Sequence, residues 1–171
     1  IDREGKITGI YRKTHLTIGE REAGIHLADE LPIFDTDFGK IGIQICEDLW
    51  ATDPPARRLA EAGATLILNL TASTEAAGKA AARRQMVASL SGRLLCGFVF
   101  TNAGDGESTT DVVYAGHHMI AESGCLLAEN RFSTGLTVAE IDVQKLNYER
   151  RRIVTFPAPA SYRENVGGYC V

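Results

Sequence analysis

A cysteine that does chemistry needs a rigid seat and something nearby that favours its thiolate. Cys46 ends the apolar, β-branched run Ile41-Gly42-Ile43-Gln44-Ile45, which reads as a buried strand covered on both faces. Two carboxylates, Glu47 and Asp48, follow it directly. A thiol held there can attack a carbonyl from the floor of a cleft, although a buried cysteine ordinarily packs as a small hydrophobe. Lys13, in Tyr11-Arg12-Lys13-Thr14-His15-Leu16, is the second candidate. Within reach of Cys46 its ammonium would stabilise a thiolate or the oxyanion of a tetrahedral intermediate; otherwise it is simply exposed. His15 invites a Cys–His pairing, with packing or surface exposure as the plainer alternative. Glu47 and Asp48 are acid/base candidates, or else salt-bridge partners and caps of the turn after the strand.

The elements that must hold these groups alternate short apolar runs with longer helical stretches, a layered α/β pattern. Strands are expected over Gly5–Tyr11, Leu31–Thr36 and Ile41–Cys46, with a tight turn at Asp37–Lys40. Pro54-Pro55 begins a helix that Gly63 stops, and Thr65–Leu70 is a further buried strand. Lys79–Leu95 forms a long helix whose core face carries Met86, Val87, Leu90, Leu94 and Leu95. Gly97–Asn102 is another buried strand, His118–Ala121 and Cys125–Glu129 form a hairpin, and Thr137–Ile141 adds a strand before a charged helix over Val143–Arg152. Gly104–Asp111 lacks the Gly-Lys-Ser/Thr ending of a phosphate loop and reads as backbone turns. Cys46-Glu47-Asp48, Asn69–Ser73 and Thr101–Gly104 all fall at strand C-termini, the edge that carries the ligand crevice in open α/β sheets.

Composition narrows the function classes. The 171 residues suit one domain, with a core over about Gly5–Phe156 and a C-terminal extension over 157–171. A net charge of −4 and the shortness of the basic run Arg150-Arg151-Arg152 argue against a nucleic-acid partner. No apolar run has the length of a membrane span, and Ile1–Lys6 has no signal-peptide core. Cys46, Cys96, Cys125 and Cys170 are scattered without metal-ligand spacing, which fits a reducing, cytoplasmic compartment. The chain has no initiator Met and is read as a fragment or a processed product.

The lysine run and Ile45-Cys46-Glu47-Asp48-Leu49-Trp50 together resemble the lysine and cysteine signatures of the nitrilase superfamily. Asn69-Leu70-Thr71-Ala72-Ser73, Gly106–Asp111 and Glu149–Arg152 narrow the likeness to the glutaminase domain of glutamine-dependent NAD synthetases. The resemblance covers roughly Gly5 to Phe156 and implies a four-layer α-β-β-α sandwich with a Glu-Lys-Cys triad. Cys46 would form a thioester with the glutamine side-chain amide and release ammonia, with Lys13 and the Glu47 backbone N–H as the oxyanion hole. Ser73 and Lys79 would lie near the substrate, their plainer roles being a strand-end cap and an exposed helix start. Either Glu20 or Glu22 would be the supporting active-site glutamate. The amidase step would need no cofactor; ATP and magnesium would belong to a separate synthetase domain, and a homo-oligomer is expected.

The likeness also sets expectations about what the sequence lacks. The family's general-base glutamate and the first strands of the sandwich would precede Lys13 on a segment outside these residues, so the 171 residues alone are expected to be inactive. The Thr17–Gly24 loop is shorter than that of NAD synthetases and looks more like other nitrilase-type amidases. A stand-alone amidase acting on a small amide or carbamoyl compound is therefore the alternative enzyme, and an inactive assembly module the non-enzymatic one.

Overall fold

In the computed structural model, residues 1–28, 30–157 and 168–170 are described, the last three for their backbone only. Seven strands form one sheet in the order β6-β5-β4-β3-β2-β1-β7. They are β1 (Ile33–Thr36), β2 (Gly39–Ile45), β3 (Leu66–Thr71), β4 (Gly97–Asn102), β5 (His118–Glu122), β6 (Cys125–Asn130) and β7 (Gly168–Cys170). The middle trio β2-β3-β4 is parallel, which requires long crossovers, and two helices supply them: α2 (Pro55–Glu61) and α3 (Lys79–Leu94). α1 (Ile18–Glu22) follows the lysine run, and α4 (Val143–Arg152) matches the expected charged helix. None of the described helices is long and apolar enough to cross a membrane. Most of the extension 157–171, including the Cys170 side chain, lies outside the described residues.

Alternation along the strands decides which face the helices cover. Gly42 and Gln44 of β2, Ile67 and Asn69 of β3, and Phe98 and Phe100 of β4 are buried under α2 and α3. The side chains between them, Ile41, Ile43, Ile45, Leu68 and Val99, are only half-buried, and Leu70 is 47% exposed. The expectation of strands covered on both faces therefore fails among the described residues: helices pack on one face, and the other presents an apolar surface. Such a surface is what a second sheet packs against in a layered sandwich.

Two expected strands are not strands. Gly5–Tyr11 leaves a turn in which Asp2 Oδ1 accepts from the backbone N–H groups of Glu4 and Lys6, then continues without strand pairing among the described residues. Thr137–Ile141 likewise pairs with no strand among the described residues. Its Ile141 side chain lies over the sheet face instead, so that a Cβ built on Gly97 would sit 2.9 Å from it and 2.7 Å from Leu66. β3 and β4 are already flanked on both sides, and alternation alone cannot supply an edge to pair with. The hairpin forms as expected, with Ser123 (φ 47°) and Gly124 (φ 88°) as its two positive-φ turn residues.

α3 buries a face that apolar spacing alone did not reveal. Arg83, Val87, Ser91 and Leu94 face inward, while Met86 and Leu90 are half-buried. Ser91 Oγ donates to the Cys96 carbonyl at 2.7 Å and accepts from Gly124 N. Arg83, fully buried, pairs with Glu75, and its Nε donates to His117 Nδ1 at 3.2 Å. That assigns the His117 proton to Nε2, which donates to Glu129 Oε1 at 2.8 Å. Arg84 grips the same Glu129 from the surface. This network ties the start of α3 to β5, β6 and the loop that follows β3.

Burial and then the Arg83 cation hold the His117 pKa below its ordinary 6.5, against the pull of Glu129. A histidine depressed in the folded state contributes stability above its unfolded pKa and loses it as pH falls through the folded value. Urea unfolding should therefore show a loss of stability below the ordinary histidine range that His117→Gln flattens; an unchanged pH slope in the variant would refute this. Gly97→Val should cost about 1–3 kcal/mol by overpacking against Leu66 and Ile141, measured the same way.

Candidate active site

β2 delivers Cys46 to the C-terminal edge of the parallel trio, where the chain turns at once into a 3-10 turn over Cys46–Leu49. Cys46 itself has φ 49°, the left-handed region, at a residue that is not glycine. Such a conformation costs of order 1–3 kcal/mol and persists only where its surroundings hold it. The side chain is half-buried, seated yet reachable. Glu47 follows in the first turn, where backbone N–H groups lack intrahelical partners.

The surroundings that hold this elbow converge on Asp48, which is fully buried. Its Oδ2 accepts from Ile45 N at 2.8 Å and from the Tyr11 hydroxyl at 3.1 Å. Its Oδ1 accepts from His15 N at 2.7 Å and lies 3.1 Å from His15 Nδ1. His15 is thus engaged by Asp48, not positioned as the partner of a Cys–His pair, and Asp48 does the capping work rather than acid/base work. Burial, with Asp48 close by, raises the Tyr11 phenol well above its ordinary range, so it stays a donor.

Between Tyr11 and His15 sits Lys13, buried, with Nζ 2.7 and 2.6 Å from the two carboxylate oxygens of Glu20. Glu20 is fixed by local chemistry. It is the third residue of α1 in a capping box, accepting from Thr17 N at 2.7 Å while its own N–H donates to Thr17 Oγ1. Burial pushes the Glu20 carboxyl up, but the hydrogen bonds from Lys13 and Thr17 outweigh it and hold the pKa below 4.5. Of the two glutamates left open by the sequence, Glu20 reaches the lysine and Glu22 is exposed.

Beyond β3, Ser73 is buried, and the Asn102 side chain clamps its backbone: Oδ1 accepts from Ser73 N at 2.8 Å and Nδ2 donates to Ser73 O at 3.0 Å. Lys79, half-buried at the start of α3, donates to Thr74 Oγ1 and stands 5.8 Å from the centre of the Trp50 ring, just past the elbow. The strand-end loops therefore gather on the side where Cys46 emerges. The sequence marks Asn102 only as a strand-end polar residue; its pairing with Ser73 needs the β3–β4 register, Thr71 opposite Asn102. The Gly104–Asp111 loop folds on its own side chains, as expected of backbone turns, with Thr109 Oγ1 accepting from Asp111 N and Val112 N. Among the described residues no cluster of three or more His, Cys, Asp or Glu could hold a metal ion. An open groove of about 1740 Å³ lined by Thr65, Leu66, Asp142 and Arg150 lies at the opposite end of the strands, away from Cys46.

Comparison with known proteins agrees with this geometry. The profile of the carbon-nitrogen hydrolase family matches residues 1–151. The chain is 42% identical over 132 residues to the glutamine-dependent NAD(+) synthetase of Mycobacterium tuberculosis, a match covering 75% of this chain and 19% of that protein. The chain thus spans less than a fifth of the length of that relative. Among solved structures, Saccharomyces cerevisiae Nit3 of the nitrilase superfamily superposes with a TM-score of 0.75 at 19% identity, covering 90% of this chain and 55% of Nit3. The glutamine-dependent NAD+ synthetase of Acinetobacter baumannii gives 0.70 at 19% identity, covering 78% of this chain and 26% of that one. These likenesses establish the nitrilase-type α/β sandwich, to which the described residues contribute one sheet and its helix layer. With the family profile spanning residues 1–151, the chain belongs to the carbon–nitrogen hydrolase family.

Proposed function

We propose that this amidohydrolase domain hydrolyses the side-chain amide of L-glutamine, with Cys46 as nucleophile. The observation that carries the reading is the strained elbow at Cys46 (φ 49°), bonded through Asp48 to both flanks of Lys13. The Cys46 sulfur attacks the amide carbonyl, and its proton passes to a glutamate base that the family resemblance puts on a segment preceding Lys13. The tetrahedral oxyanion is received by the Lys13 ammonium and the Glu47 backbone N–H. Collapse forms the thioester and expels ammonia, which takes its proton from the same base; water then releases glutamate. Glu20 orients Lys13 through its paired oxygens, and Ser73 and Lys79 contact the substrate beside the elbow.

Glutamine is favoured because the relatives matched over most of this chain are named for it. In that reading ammonia passes to an ATP- and magnesium-dependent synthetase domain of the same polypeptide, in a cytoplasmic homo-oligomer. The short α1 directly after the lysine supports a second reading, a stand-alone amidase on small amides or carbamoyl compounds. Steady-state assay of the full-length protein on glutamine, ω-amides and N-carbamoyl amino acids separates the two.

A glutamine-analogue electrophile should label Cys46 in the full-length protein, as peptide mapping would show. Cys96 is buried and its thiol is pushed up to about 12, so it should stay unlabelled, and exposed Cys125 is the control for indiscriminate alkylation. Label confined to Cys125 would sink the assignment. Lys13→Ala should lower kcat by about 10²–10³ with the fold intact, the usual loss for one oxyanion stabiliser; near-normal turnover would show that the lysine plays no part.

A further inference from the structure

We propose that Asp48 is the positioning residue that clamps the Lys13 segment onto the Cys46 elbow, setting the lysine–thiol geometry on which turnover depends. The proposal rests on the assignment of Cys46 and Lys13 above and adds a residue that touches neither substrate nor reacting atoms. Asp48 lies two residues after Cys46, and its donors Tyr11 and His15 each lie two residues from Lys13. A carboxylate offers roughly four acceptor sites and no donor. Four donors fill them: Ile45 N and the Tyr11 hydroxyl on Oδ2, and His15 N and Nδ1 on Oδ1.

The fit is specific to a carboxylate. In Asn the NH2 group would replace one oxygen and face either Ile45 N–H or His15 N–H. Both are backbone donors that cannot rotate away or accept, so whichever way the amide turns, one buried N–H loses its partner. Losing the Ile45 bond frees the strained elbow, and losing the His15 bond frees the lysine run. No other described hydrogen bond joins residues 11–16 to residues 45–50. The two catalytic groups come from segments more than thirty residues apart, so their relative placement rests on this one side chain and on the burial around it.

Asp48→Asn in the full-length protein tests this, read by glutaminase kinetics and by the pH dependence of Cys46 alkylation with iodoacetamide, which needs no glutamine pocket. A displacement of about 1 Å should cost about 10²-fold in kcat. KM should stay within about threefold, because the substrate-side loops are untouched. The alkylation profile should move to higher pH as the ammonium leaves the thiolate. A lower melting temperature with wild-type kcat and an unmoved alkylation profile would reduce Asp48 to support of the fold and overturn the proposal. If Asp48→Asn does not fold, Tyr11→Phe removes one of the four donors and keeps the ring. It should lower kcat by about three- to tenfold and move the alkylation profile the same way, and wild-type behaviour on both measures would overturn the proposal. Failure of the underlying assignment is visible separately, as full activity in Cys46→Ala before any Asp48 variant is made.

Discussion

Parallel register is the constraint from which the site follows. Ile45 stands opposite Leu70, and Leu70 opposite Thr101, so β2, β3 and β4 end nearly level. Their continuations, Cys46, Ser73 and Asn102, then emerge at one edge without needing contact in sequence. A slip of one residue on β2 would turn Gln44 and Gly42 away from α2 and bring Ile43 and Ile45 inward. The register is held from the helix side: Gly42 lets Leu59 approach within a distance that a Cβ would contest, at 3.0 Å, and Gln44 bridges Asn69 of β3 to Ala56 N at the start of α2. Chemistry at the edge is thus paid for by packing in the middle.

Charges placed inside this fold are bound to partners that also fix geometry. Lys13 with Glu20, Asp48 with its backbone and hydroxyl donors, and Arg83 with Glu75 and His117 are all largely shielded from water. A buried pair contributes little net stability against its desolvation, yet removing one partner leaves the other charge uncompensated. Such groups are poor glue and good locks. Each lock here joins segments that carry or border the site: the lysine run to α1, the elbow to the lysine run, and the post-β3 loop to β5 and β6.

The sheet face away from the helices has the opposite character. Its apolar side chains are half-exposed, and Leu70 at the site edge is nearly half open. This chain spans less than a fifth of the M. tuberculosis relative and just over half of Nit3.

Local pattern by itself determined most of the elements. β4 and α4 have the expected bounds, because the apolar run Phe98-Val99-Phe100 between Gly97 and Asn102 and a charged run capped by Asp142 leave few other solutions. Cys46 and Lys13 stood out only as candidates by residue type, and it was the family resemblance of the runs around them that singled them out. Tertiary structure decided the rest for one physical reason: pairing is a property of neighbours in space. Gly5–Tyr11 and Thr137–Ile141 have the composition of strands but pair with no strand among the described residues. Arg83 and Ser91 break the apolar stripe of α3 because their partners, His117 and Gly124, come from a hairpin outside any helical window. Glu20 and Glu22 differ by two places in sequence, and only the turn of α1 points the first at Lys13. Asp48 looked like one more carboxylate in a run of two until the fold brought Tyr11 and His15 across to it.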